Sequence, residues 1–377
     1  MLPVVKPEHK PYVTAGGNIR IGSVIYGSGA EIVDPPGWLW PLLNAADGTR
    51  TPEQIVAAVR DEVPSAPPAE ILSALGQLRE AGYLEDASAT PAGFTEQERE
   101  RYSRGVSLLR WMDRSPVDTS WRLQERLRDS GVLLIGLGGT GGAAAHALAA
   151  SGVGRLHCVD PDTVELSNLN RQPYRESDVG RPKAAALARD LRQRNSTVRI
   201  TAEQRLVSGP EDLAELIGGP DGPFHLLLLC ADQPSEIRRW ANTACLAAGL
   251  PWVDGGYRGP LATAGVHRPG RGACWECQRM GEAERRDLDL PEGADESVAS
   301  PRMEWSPANA ITAGLSGLLV AHAAVALLTG APRLAPGFRY GLNLMAPDDP
   351  VYTAFPRRAD CPACGSGDAV TSEGRPA

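Results

Sequence analysis

The sequence predicts an α/β protein: a doubly wound, mostly parallel sheet with a structural zinc site, preceded by a small α+β domain. Three observations carry this. Short apolar runs at residues 132–135, 156–159 and 224–230 each end in a glycine-rich or acidic turn, the pattern of buried parallel strands. Two C-x-x-C pairs, Cys274 with Cys277 and Cys361 with Cys364, supply a closed thiolate set for zinc; neither opens a helix after a strand, as a redox pair would. Residues 1–86 read instead as strands, three helices and a terminal strand, so the 377 residues divide into a small and a large part.

In the small part, residues 18–26 alternate Ile19, Ile21 and Ile25 with polar or small residues, and 31–33 return as a second strand. Trp38, Leu39, Leu42 and Leu43 mark a first helix. Thr51, with Pro52 in the first turn and Gln54 three residues on, caps a second that carries Ile55, Val56 and Val59. The third runs through Ile71, Leu72, Leu75 and Leu78, stops at Gly82 and leads into a short strand at Tyr83 and Leu84. This order is winged-helix-like. Charge argues against DNA binding, because residues 1–90 hold six Lys and Arg against eleven Asp and Glu while a phosphate backbone needs a basic face. Residues 87–97, containing A-S-A-T-P-A-G-F, are aperiodic and rich in small residues, as a linker is.

In the large part, residues 98–364, the strand at 132–135 runs into Gly136, Gly138, Gly139 and Gly141, which open a helix through His146 and Leu148. A turn without Cβ atoms lets backbone N–H groups and the positive helix end approach a phosphate, a Rossmann-like feature. The strand at 156–159 ends in Asp160, spaced from Gly136 like an acidic residue that grips a ribose. A dehydrogenase would satisfy this much. Asn168, Arg171, Gln172 and Lys183 do not suit a nicotinamide: an Arg fork and a Lys point charge together can hold a triphosphate and neutralise departing pyrophosphate. Asp232 follows the run at 224–230, at the carboxyl edge of the sheet where a carboxylate can hold magnesium.

The order R-Y-S-R (101–104), G-L-G-G-T-G (136–141), D-P-D-T-V-E-L-S-N-L-N-R-Q (160–172), V-G-R-P-K (179–183) and C-A-D (230–232) resembles the adenylating domain of the ubiquitin-activating-enzyme superfamily. Its bacterial members include the ThiF and MoeB type sulfur-carrier adenylyltransferases and the microcin C type peptide adenylating enzymes. The resemblance spans roughly residues 98–364. It implies ATP in the glycine cradle beside Gln172, with Asp160 on the ribose, Asn168, Arg171 and Lys183 on the triphosphate, and Mg2+ on Asp232. It also implies a homodimer in which Arg104 reaches the partner's ATP, and Zn2+ on the four paired cysteines pinning the carboxyl-terminal tail. Residues 278–306, where ubiquitin-activating members carry a thioester nucleophile, contain no cysteine. The implied chemistry stops at an acyl-adenylate or passes to a nucleophile other than an enzyme thiol. This acidic stretch of nearly thirty residues reads as a covering or mobile loop. Cys158, Cys230 and Cys245, in apolar surroundings, read as inert packing.

The segments D-G-T-R-T-P-E-Q-I-V (47–56) and L-R-E-A-G-Y-L (78–84) resemble the PqqD-like leader-peptide-recognition domains of ribosomal peptide biosynthesis. That resemblance implies a precursor peptide bound through its leader by β-augmentation, at the sheet edge beside the third helix. A purely structural appendage of the dimer is the alternative.

Residues 308–328 are long enough to span a membrane, yet they are built on Ala and Gly and interrupted by Asn309, Thr312, Ser316 and His322. They read as a closely packed buried helix, with His322 as a hydrogen-bonded core histidine. Residues 365–377 read as a disordered tail. Net charge of -8 disfavours nucleic acid and anionic membranes as partners. No basic, apolar leader precedes the first strand and the cysteines suit zinc in a reducing compartment, so the expected location is cytoplasmic.

The leading functional expectation is adenylation of a precursor-peptide carboxylate on the way to a modified peptide natural product, with room for a second biosynthetic enzyme. Adenylation of a ubiquitin-like sulfur carrier is the alternative within enzymes. A non-catalytic partner that delivers a leader to a cyclodehydratase is the alternative outside them; the retention of Asp160, Asn168, Arg171, Lys183 and Asp232 argues against it.

Overall fold

The first 126 residues carry strands at both ends of a helical stretch, and the two ends pair with each other. The computed structural model describes all residues except 23, 28, 35–36, 92, 286–288, 292–297, 299–306 and 366–377. They form two compact units, Met1–Arg126 with Thr329–Pro332, and Leu127–Leu328 with Arg333–Ala377. The expected tail falls outside the described residues apart from Gly365.

In the first unit β1 (Pro3–Val5) pairs antiparallel with β5 (Leu84–Asp86). Strands β2 (Tyr12–Val13), β3 (Ile19–Ile21) and β4 (Ala30–Ile32) form a separate antiparallel sheet in that order. Ile19 and Ile21 of β3 meet apolar faces of α1 (Leu39–Ala45), α2 (Pro52–Glu62) and α3 (Pro68–Glu80), burying Leu42, Ile55, Val59, Ile71 and Leu75 in one core. The cap expected at Thr51 is formed: its hydroxyl accepts the Gln54 N–H and the Gln54 side chain accepts the Thr51 N–H. The expected strand is cut short. Gly22 takes φ +95° and a single 3-10 turn follows over Val24–Tyr26, so Ile25 leaves the core face and is 91% exposed. Beyond β5, Thr95 and Glu98 cap α4 (Glu96–Met112), which buries Tyr102, Val106 and Leu109; α5 (Trp121–Arg128) follows.

The second unit holds an eight-stranded sheet. Its parallel part is β6 (Gly131–Ile135), β7 (Arg155–Val159), β8 (Arg199–Glu203), β9 (Leu226–Leu229) and β10 (Trp252–Arg258), and β11 (Leu261–His267), β12 (Phe338–Asn343) and β13 (Val351–Ala354) extend it antiparallel. The full order is β13-β12-β11-β10-β9-β6-β7-β8. Strands buried on both faces need apolar residues throughout, and pleating sends alternate ones to opposite cores. Val132, Leu134, Leu226 and Leu228 pack with α6 (Gly139–Ser151), α7 (Lys183–Arg194) and α11 (Ala310–Thr329), whereas Leu133, Ile135, Leu227 and Leu229 pack with α8 (Pro210–Gly218) and α9 (Ile237–Ala248). The strand order reverses between β6 and β9, which opens a crevice at their carboxyl ends.

Among the described residues one helix, α11, is long and apolar enough to cross a membrane, and half of it is buried. Ala313, Val320 and Ala324 face the core, and Gly317 lets its backbone approach Thr140 of α6. His322 is hydrogen-bonded as expected but is not a core residue. It lies on the exposed face and donates from Nδ1 to Tyr340 Oη at 2.8 Å, and Tyr340 donates onward to the Leu319 carbonyl at 2.9 Å. The segment expected to be a loop from residue 278 is helical at its start, because α10 (Trp275–Arg285) continues through it. Most of the remainder lies outside the described residues.

Candidate nucleotide and substrate site

At the end of β6 the chain turns sharply at Gly136, whose φ is +88° and whose missing Cβ would otherwise run into the Cys230 and Ala231 backbone at the end of β9. Gly138 caps α6, and side chains at Gly139 and Gly141 would strike Ala313 and the Gly136 carbonyl. The glycines thus bring the amino end of α6 against the crevice between β6 and β9. Asp160, 5% exposed at the end of β7, fastens this turn by accepting the Leu137 N–H at 2.6 Å and the Asp162 N–H at 2.9 Å. Burial pushes its carboxyl above the usual value, and those two bonds and Lys183 oppose the push without overcoming it.

The expected phosphate ligands come from the turn that follows. Asn168 is buried and its Oδ1 accepts the Glu165 N–H at 3.1 Å, so it shapes a 3-10 turn over Leu166–Asn168 as well as offering an amide donor. Arg171 is held within the same loop, donating to the Ser167 carbonyl and to Asn170 Oδ1, both at 3.0 Å. Lys183 opens α7, is 6% exposed, and ends 2.8 Å from Asp162. Gln172 is buried with its Nε2 facing the vacant side of Gly138, and its Oε1 has no hydrogen-bond partner among the described residues. The amide nitrogen beside this side-chain-free turn offers a donor to an anion bound there. Asp232 is 71% exposed and ion-paired to Arg238 at 2.6 Å. Arg104 stands in the first unit, exposed on α4, whereas the others stand in the second.

Sequence reasoning missed the groups behind Asp232. A pocket of about 650 Å³ opens there, lined by Asp232, Arg238, Asp254, Tyr257, Trp275 and Arg339 among others. Asp254 of β10 is 1% exposed; burial alone would raise its pKa, and Arg339, His267 and Arg238 together hold it well below the carboxylate range. The available signal was a charged residue inside an apolar strand, V-D-G-G, since a buried carboxylate demands partners.

The four paired cysteines meet at the start of α10, all four sulfurs within 4.8 Å of one another. Separations of 3.8 Å for Cys274–Cys277, 3.7 Å for Cys274–Cys361 and 3.5 Å for Cys277–Cys364 exceed a disulfide bond. They fit the edges of about 3.8 Å that four thiolates make around zinc at about 2.3 Å, so the cluster is compatible with Zn2+. Asn242 supports it by donating to Cys274 and accepting the Trp275 N–H. Cys158 and Cys245 are fully buried, and burial pushes the Cys158 thiol up to about 12, consistent with inert packing.

The model of the ThiF family matches residues 106–363. The molybdopterin-synthase adenylyltransferase of Escherichia coli K12 is 40% identical over 44% of this chain and 61% of its own length, so the chain spans about three fifths of that relative. The sulfur carrier protein ThiS adenylyltransferase of the same organism is 31% identical over 71% of this chain and 96% of its own. The crystal structure of E. coli MccB superposes over the whole of both chains with a TM-score of 0.76 at 21% identity, and that of PaaA over 94% of this chain and all of its own with a TM-score of 0.64 at 25%. The chain belongs to the ThiF family.

Proposed function

We propose that the chain is an ATP-dependent adenylyltransferase that activates a carboxylate of a ribosomally made precursor peptide, while the first unit binds the peptide's leader. One observation carries this reading: a pocket of about 650 Å³, roomy enough for a peptide end, is lined by Asp232, one residue after the Ala231 backbone that the Gly136 turn approaches. MccB, similar in fold, has been solved with ATP and with N-formylated MccA. The family match begins at residue 106, which leaves residues 1–105, most of the first unit, for a separate task. Its outer strand β4 has no second neighbour among the described residues, as strand addition by a leader requires.

A carboxylate is a poor electrophile at neutral pH, and a mixed anhydride with AMP gives it a good leaving group. A substrate carboxylate oxygen attacks the α-phosphorus of ATP in line; the new O–P bond forms as the bond to the β-phosphate oxygen breaks, and pyrophosphate departs. The nucleophile is already an anion, so no general base is needed. Arg171 and Lys183, with Arg104 of the partner subunit, take up the charge on pyrophosphate, and Asp160 keeps the turn closed under the ribose. Asp232 would hold magnesium once Arg238 yields the carboxylate, and the ion would supply further neutralisation of that charge. Residues 278–306 contain no cysteine, so no thioester follows on that segment.

Pyrophosphate exchange with the precursor peptide tests the assignment. Asp232→Ala and Arg171→Ala should each slow exchange about 100-fold with leader binding intact, and exchange at the wild-type rate in either variant would show the residue is misassigned. The similarity to the ThiS adenylyltransferase favours a second reading, a sulfur carrier as substrate. Exchange driven by a Gly-Gly-ending carrier protein and not by peptide would establish it, whereas peptide binding without exchange would indicate a delivery role.

A further inference from the structure

Three antiparallel strands place Asp254, Gly265 and Arg339 in one row: Asp254 of β10 lies opposite Gly265 of β11, and Gly265 opposite Arg339 of β12. Any side chain on the middle strand would fill the gap, for a Cβ at Gly265 would collide with Asp254 Oδ1 and crowd Arg339 Nη2 and His267 Nε2. With none, Arg339 reaches across the strand, and its Nη2 donates to both Asp254 oxygens, at 2.8 and 3.1 Å. His267 Nε2 donates to Oδ1 at 2.7 Å, with the ring stacked on Trp252 at 4.2 Å between centroids. Arg238 completes the set, its Nε 3.4 Å from Asp254 Oδ2 while its Nη2 holds Asp232.

One buried carboxylate therefore anchors two guanidiniums that both line the pocket beside Asp232. Arg339 has five N–H donors, and Asp254 uses only its Nη2 end. The Nη1 end makes a 3.4 Å contact with Thr263 Oγ1, and Nε lies 3.8 Å from Glu282, so this edge keeps capacity for a stronger acceptor. Four arginines (Arg238, Arg258, Arg285 and Arg339) line the pocket against three acids (Asp232, Asp254 and Glu282), which leaves it net positive.

We propose that Arg339 seats the carboxylate of the peptide substrate, and that Asp254, reached across Gly265, locks its guanidinium for that task. This deepens the adenylation reading and rests on it for the identity of the substrate. A planar fork pinned at one end offers its other edge to an incoming carboxylate without a further loss of rotamer freedom, which a flexible lysine could not do.

Saturation-transfer NMR on the full-length protein tests the seat with N-acetylglycine, a minimal peptide terminus, and with neutral N-acetylglycinamide, in the presence of magnesium α,β-methylene-ATP. Wild type should bind the acid at millimolar concentration and the amide far more weakly. Arg339→Ala should bind the acid about tenfold or more weakly with nucleotide affinity unchanged, and Gly265→Ala should do the same without a change of charge. Arg339→Lys leaves a cation beside Asp254 and should fold even if the alanine variant does not, yet it should still lose acid binding for want of the fork. Equal binding of acid and amide by wild type, or wild-type acid binding by the arginine variants, would overturn the proposal. Pyrophosphate exchange separates the two readings: a protein that seats the acid but never exchanges disproves adenylation, and one that exchanges with an unchanged peptide KM in Arg339→Lys disproves the seat.

Discussion

At Gly136 two demands meet in one residue, a left-handed φ of +88° and a close approach to the backbone of Cys230 and Ala231. Alanine at that position adds a conformational cost of about 1–2 kcal/mol to a clash with main chain that cannot yield. Gly136→Ala should lower the thermal midpoint and abolish binding of α,β-methylene-ATP measured by calorimetry. At Asp254 charge decides the outcome. Burial works against ionisation, Arg339, His267 and Arg238 win, and the folded-state pKa lies below the unfolded value. The ion pairing therefore stabilises fully above about pH 4 and its contribution disappears as pH falls further. Asp254→Asn should cost about 3 kcal/mol at neutral pH, and denaturant titrations should show that gap narrowing below about pH 4; a gap independent of pH would contradict the charge assignment. The glycine turn was legible from sequence because it is local, whereas the tie that Asp160 makes to the Leu137 N–H from the end of the next strand was not. The Asp254 row was not, since it exists only once the register of β10, β11 and β12 is known.

Among elements, α2 shows how far a local signal reaches. Its start was readable because Thr51 and Gln54 satisfy each other's backbone donors within one turn and Pro52 has no N–H to satisfy. Thr51→Ala should destabilise the protein by about 1 kcal/mol, seen in equilibrium unfolding, and a neutral result would mean the cap is redundant. The leucines of β9 were readable for a different reason, because a strand buried on both faces tolerates no polar position. Where partners are distant the signal fades. The β1–β5 pairing joins residues some eighty positions apart and left no local trace. The alternation that suggested a strand through Ile25 failed because Gly22 bends the chain first. In α11, apolar composition correctly indicated packing yet placed His322 in the core, although only part of that helix is covered.

For the whole molecule, the sequence order of the motifs became a spatial arrangement because the strand order reverses between β6 and β9, which brings the Gly136 turn and Asp232 to one crevice while the cysteines gather at α10. Under the proposed function, such a site activates an acid by passing one of the acid's own oxygens to phosphorus. The most direct test is to supply the precursor peptide with its reacting carboxylate labelled with oxygen-18, allow turnover with ATP, and weigh the AMP. Adenylation predicts one heavy oxygen in AMP when the acyl group is captured by its nucleophile. Unlabelled AMP with the heavy oxygens retained on the peptide, or ADP and phosphate as the nucleotide products, would contradict it.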